Sequence, residues 1–174
     1  MNTPNKTLKL VVAALFAALT TVATMFIQIP TLKGYIHLGD CFVILSGILL
    51  GPVYGACAAG IGSMLADVLT GYFVFAPATL IIKALAGGLC GYLYSKLDQT
   101  AMNRIVKTVF SGLVAAVTIV LGYFVFEIFY EGFPAAVLEI LPNVVQVTSG
   151  IIISTILYPL LSSIPSFRQM SKNQ

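Results

Sequence analysis

Polar and apolar positions in this chain are segregated into blocks. Nearly all the Lys, Arg, Asp and Glu residues lie in short clusters, and between the clusters run long apolar stretches. A membrane-spanning helix needs about 20 apolar residues, so 174 residues hold about six spans with short connections. Pro30, the Gly51-Pro52 pair, Pro77 and two polar stretches divide the chain into apolar segments at about 8–29, 38–50, 54–69, 78–94, 108–126 and 141–161. The second segment is short, and the third follows it across Gly51-Pro52 with almost no linker, which makes the two antiparallel neighbours. The pattern predicts one all-α membrane domain of six helices over residues 1–174, with no long linker, low-complexity tract or internal repeat.

Composition leads to the same class. Hydrophobic residues make up 59% of the chain and charged residues 9%, and the mean hydropathy is +1.00. A water-soluble domain of this size could not cover its surface with so few polar groups, so lipid must replace the missing shell. The basic start, Lys6 and Lys9 before an apolar run, also fits a signal peptide; a first span fits better, because everything downstream is equally apolar. Charge placement then orients the bundle, since loops kept in the cytoplasm are rich in Lys and Arg. Lys6, Lys9, Lys96, Arg104, Lys107, Arg168 and Lys172 are seven of the nine basic residues, and with six spans all seven fall on one side. The acidic connection with Glu127, Glu131 and Glu139 falls on the other side, giving an N-in, C-in topology. Nine bases without a clustered face exclude a nucleic-acid surface. Cys41, Cys57 and Cys90 are far apart in apolar surroundings and read as small buried residues, not as a disulfide framework or a metal site.

The remaining polar residues converge on the outer half of the bundle. His37 and Asp40 open the second segment as an i, i+3 pair, Asp67 lies near the end of the third, and Lys83 lies about two turns into the fourth. Charges inside a bilayer are costly, so Asp67 and Lys83 are expected to face inward and compensate each other as a structural pair, contact a ligand, or do both. Asn143 and Gln146, another i, i+3 pair, follow Pro142 and are placed in the first turn of the last helix, where they either cap it or hold a polar ring. In the first segment Ala13, Ala14, Ala17 and Ala18 form two overlapping A-x-x-x-A patterns, which let another helix approach closely.

Catalytic motifs are missing. No nucleotide-binding lysine loop, H-E-x-x-H or G-x-S-x-G occurs, and the only His lies in a loop, away from any serine deep in the membrane. The chain reads as a non-enzyme with no cofactor and no metal. Without an ATP site, any transport by it must be driven by a partner or a gradient.

The order of A-x-x-x-A, His37-Leu38-Gly39-Asp40, Leu50-Gly51-Pro52-x-x-Gly55, Gly62-Ser63-x-x-x-Asp67 and Pro77-x-x-x-x-x-Lys83-x-x-x-Gly87 resembles the substrate-binding S component of energy-coupling factor (ECF) vitamin transporters. Within that family it looks most like the branch for hydroxymethylpyrimidine, pyridoxine and riboflavin-type substrates. The resemblance implies a multi-pass protein of the bacterial cell membrane that takes its vitamin from outside, with the loop after the first span as a lid. It then topples against a coupling transmembrane subunit driven by two cytosolic ATPases. The resemblance also implies that Ala14 and Ala18, with Ala13 and Ala17 alongside, meet the coupling subunit. By location, the substrate-binding residues would be Tyr35, His37, Lys83, Glu127, Asn143 and Gln146. Many family pockets stack the ligand on Trp, which this chain lacks, so Tyr35, Tyr72, Phe75 and Tyr123 are expected to supply the aromatic platform. The expected ligand is a small, mostly neutral heteroaromatic, with hydroxymethylpyrimidine or pyridoxine as the best guess. The rival readings are a self-contained small carrier and a structural or assembly subunit that binds no solute.

Overall fold

A computed structural model describes residues 6–31, 35–165 and 167. In chain order the elements are α1 (Lys6–Phe26), β1 (Gln28–Pro30), β2 (Tyr35–His37), α2 (Gly39–Thr70), α3 (Ala76–Asp98), α4 (Arg104–Tyr130) and α5 (Phe133–Ser163). The five helices are each long and apolar enough to cross a membrane. The two strands pair antiparallel, with Gln28 opposite His37, Ile29 opposite Ile36 and Pro30 opposite Tyr35.

Five helices stand where six segments were expected, because α2 contains both the second and the third. It is not straight. At Gly51 (φ 81°, ψ −178°) the backbone enters a region closed to residues with a Cβ, and Pro52 has no N–H to continue the ladder. Ser46 Oγ donates to the Gly55 carbonyl at 3.3 Å, and a Cβ on Gly55 would fall 2.6 Å from the Gly47 Cα. In an unbroken helix, residues eight or nine apart are separated by about 12–14 Å. The two arms, 39–50 and 52–70, therefore lie side by side. The first arm is the core of the molecule: Val43, Ile44, Leu45, Ile48 and Leu49 have no exposed surface. A helix that is apolar on all sides belongs in such a position.

Small residues set the spacing around this arm. Gly47 faces the backbone of Gly87 and Gly91 in α3, and a Cβ at Gly47 would lie 2.4 Å from the Gly87 carbonyl oxygen. On the outside, Leu85, Leu113, Val117, Leu121, Ile152 and Ile156 are all exposed, forming the apolar surface that lipid covers. Cys41 and Cys90 are buried as expected, whereas Cys57 lies on this exterior.

Other boundaries also shift. The first helix ends at Phe26, and Ile29, expected within it, belongs to β1. Glu127 is helical, in α4, and Glu139 lies inside α5, not in an acidic loop. The acidic stretch looks like a connection by polarity. The real turn is made by Gly132 (φ 90°), and Pro134 occupies the first turn of α5, where its missing N–H costs nothing. Pro142 is consequently inside α5, and Asn143 and Gln146 lie about three turns into the helix, away from its free N–H groups. The helix order places the β ribbon, the α2–α3 turn and the α4–α5 turn at one end of the bundle. Gly51 and the α3–α4 connection lie at the other.

Candidate ligand-binding cavity

At the ribbon end a cavity of about 550 Å³, counting its open mouth, is lined by Tyr35, His37, Asp67, Tyr72, Phe75, Thr79, Tyr123, Glu127, Glu139, Asn143 and Gln146. The ribbon, both turns and the upper parts of α2, α3, α4 and α5 all contribute. Five of the six expected substrate-binding residues meet here: Tyr35, His37, Glu127, Asn143 and Gln146. Lys83 is not on the wall.

Lys83 also has a different partner from the one expected. Its ammonium is fully buried and forms an ion pair with Asp40, which is equally buried, so the Asp67–Lys83 pair is corrected to Asp40–Lys83. The second Asp40 oxygen accepts from Gln146 Nε2 at 2.9 Å, and the Gln146 carbonyl oxygen accepts the His37 backbone N–H at 3.2 Å. This chain of bonds ties the first arm of α2, α3, α5 and the ribbon together beneath the cavity floor. Lys83 Nζ also lies 5.4 Å from the ring centre of Tyr123, on the far side of a wall residue.

His37 is held neutral. Its Nδ1 accepts the Gly39 backbone N–H at 3.0 Å, so the ring proton sits on Nε2. Burial, with Lys83 adding repulsion and Asp40 opposing both, lowers its pKa to about 4. Burial likewise pushes the Tyr35 phenol up to about 12; its hydroxyl donates to Asp67 Oδ1 at 3.5 Å. Asp67 Oδ2 and Glu127 Oε2 are buried with no hydrogen-bond partner. Thr31 donates to Glu139 at 3.3 Å.

Aromatic rings make up much of the rest of the wall. Tyr35 and Tyr72 are 5.1 Å apart edge to face, Tyr72 leads on to Phe75 at 6.3 Å, and Tyr123 bonds to the Thr79 hydroxyl at 2.9 Å. Phe75 in turn packs on Phe126 and Tyr130. The four rings expected as a platform thus share one cavity. Its charge differs from expectation. Asp67, Glu127 and Glu139 give three carboxylates, and among the described residues no Lys or Arg lines it.

The family model for the S component of ECF-type riboflavin transporters matches residues 4–163. The chain belongs to this family. An uncharacterized protein in the gap 3′ region of Pyrococcus woesei is 39% identical to it over 135 residues, covering 76% of this chain and 87% of that one. Among solved structures, the S component for biotin from an ECF-type ABC transporter superposes with a TM-score of 0.72 at 18% identity, covering 97% of each chain. An S component of a bacterial ECF transporter gives 0.64 at 20% identity, covering 91% of this chain and 98% of that one. These two establish the fold. As an S component the chain is a multi-pass protein of the cell membrane and a transporter subunit, not an enzyme.

The alanines of the first helix divide between two faces in this S component. Ala13 is buried and Ala17 partly so; a Cβ on Gly62 of α2 would lie 2.5 Å from the Ala17 carbonyl oxygen, so this side packs inward. Ala14 and Ala18 are exposed on the other side. Two features escaped the sequence reading. Thr79 carries no signal beyond its place one turn above Lys83. Glu139, which reads as a loop residue by its polarity, is a wall residue on α5. Asp40 could have been matched to Lys83, because a charge at the head of a wholly apolar arm needs an internal counter-charge, but only the fold decides between Asp40 and Asp67.

Proposed function

We propose that the protein is the high-affinity substrate-binding subunit of an ECF-type importer for a water-soluble vitamin or vitamin precursor, a heteroaromatic of the hydroxymethylpyrimidine or pyridoxine kind. The observation that carries this is the cavity at the ribbon end, where four aromatic rings surround a few convergent polar groups, the usual make-up of a small-molecule site. Asn143, half-buried, is a wall amide free to bond a ring nitrogen or hydroxyl. The β1–β2 ribbon acts as the lid, and residues 32–34 of the expected lid lie outside the described residues.

In this reading the chain crosses the membrane six times, with both termini in the cytoplasm and the cavity facing outward. Two observations support the orientation. Lys6, Lys9, Lys96, Arg104 and Lys107 gather at the end opposite the ribbon, and Asp67, Glu127, Glu131 and Glu139 gather at the ribbon end. The first arm of α2, about 18 Å long at 1.5 Å per residue, is too short to cross alone, but it is buried in protein and needs no lipid match. Ala14 and Ala18 form the seam for a coupling transmembrane subunit, and two cytosolic ATPases supply the energy.

Titration of the purified protein with pyridoxine, hydroxymethylpyrimidine, thiamine, riboflavin and pantothenate tests this. At least one should bind tightly; failure of all five would overturn the vitamin assignment in favour of a structural subunit.

A further inference from the structure

Two of the cavity's carboxylates carry an unanswered need. Asp67 and Glu127 are more than nine-tenths buried, at 8% and 5% exposure, and each has one oxygen with no hydrogen-bond partner. Both line the cavity. An isolated carboxylate in a poorly solvated site is costly unless it is neutralised or paired. Lys83, whose ammonium lies 5.4 Å from the ring centre of the wall residue Tyr123, is already committed to Asp40. Around the same space stand Tyr35, Tyr72, Phe75 and Tyr123, and the faces of such rings attract cations.

We infer that the ligand of this cavity carries a positive charge: a heteroaromatic bearing a protonated amine or a quaternary ring nitrogen, with Asp67 and Glu127 as its counter-charges and the four rings as its box. The inference rests on the vitamin-binding reading and narrows it. A neutral hydroxymethyl compound could donate a hydrogen bond to an open oxygen and stack on the rings, but it would leave both carboxylate charges uncompensated and gain no cation–π attraction. The charged counterpart, with –CH₂NH₃⁺ in place of –CH₂OH, donates to both carboxylates through charge-assisted bonds.

Calorimetric titration at neutral pH with two matched pairs tests this, pyridoxamine against pyridoxine and aminomethylpyrimidine against hydroxymethylpyrimidine, with cationic thiamine and neutral riboflavin as unmatched further probes. The charged member of at least one pair should bind about tenfold tighter or better, a difference of about 1.4 kcal/mol. Asp67→Asn and Glu127→Gln should each remove most of that preference. Equal or tighter binding of the neutral members overturns the charge inference and leaves the vitamin reading intact. A preference that survives both amide substitutions also overturns it, by assigning the selectivity elsewhere. Absence of binding by all six compounds overturns the vitamin reading and the inference together. The ligand pairs on the unaltered protein decide the question even if an amide variant fails to fold.

Discussion

At the scale of single residues, the Asp40–Lys83 pair governs the site's foundation. Both groups are fully buried, so removing one leaves a charge with no solvent and no counter-charge, at a cost of about 3–5 kcal/mol. Asp40→Ala and Lys83→Met should therefore each destabilise the detergent-solubilised protein more than the double substitution does, whereas Asp67→Asn and Lys83→Met should add. A thermal-unfolding cycle over these variants reads the coupling. Gln146 and Asn143 should separate in the same way. Gln146 bridges Asp40 and the ribbon, so Gln146→Ala should cost about 1–3 kcal/mol of stability without ligand. Asn143→Ala should weaken binding and leave the melting temperature unchanged. His37 adds a pH dependence. Its folded pKa of about 4 lies below the ordinary 6.5, so between those values the unfolded chain holds more protons than the folded one. This contribution to stability is present above about pH 6.5 and is lost as the pH falls toward 4, by up to about 1.4 kcal/mol per unit. Melting curves of the native protein and His37→Asn, compared from pH 7.5 to 4.5, should converge at low pH. Parallel curves would assign the ring no buried neutral state. Most of these residues were visible in the sequence as polar positions in apolar surroundings, but the pairing was not: Asp40 and Asp67 both fall in the outer half of the bundle with Lys83, and only the fold-back of α2 chooses between them.

At the scale of elements, glycine decides where helices turn and where they touch. Gly51 occupies a conformation that a Cβ makes costly, and the fold-back of α2 depends on it. Gly51→Ala should lower stability by about 1–3 kcal/mol, while Gly71→Ala, where the backbone is also left-handed but no atom lies within 4 Å of a new Cβ, should cost less, about 1 kcal/mol. The two faces of α1 should respond oppositely to bulk. Gly62→Val wedges α2 off Ala17 and should unfold the bundle or broaden its melting transition, whereas Ala18→Trp points outward and should preserve both fold and ligand binding while blocking copurification with the coupling subunit. Intact assembly with Trp at both Ala14 and Ala18 would remove this face from the interface. The apolar blocks and the Gly-Pro break were legible because length and composition alone define a spanning helix. The β ribbon was not, since three-residue strands are too short for a period to register. The start of α5 is hidden by its acids, because Glu131 and Glu139 give the stretch the polarity of a loop although Gly132 and Pro134 begin a helix there.

For the whole molecule, orientation follows from where the two kinds of charge accumulate, and the fold sharpens the argument that the sequence could only begin. Alternation along the chain separates a basic end at the α3–α4 connection from an acidic end that carries the ribbon and the cavity. In the proposed orientation the basic end stays inside, as short loops rich in Lys and Arg do. If so, the cavity meets the external solution and its carboxylates concentrate cations at the mouth. Single cysteines introduced into a Cys57→Ala background test this, at Ile29 in the exposed strand β1 and at Thr100 in the exposed α3–α4 connection. A membrane-impermeant maleimide applied to intact cells should label Ile29→Cys and should reach Thr100→Cys only after lysis. The reverse pattern would invert the protein and turn the cavity toward the cytoplasm, so that it could not serve uptake. Labelling of both sites from outside would mean that the helices between them do not make an odd number of crossings, and that α2 does not cross the membrane twice while α3 crosses once.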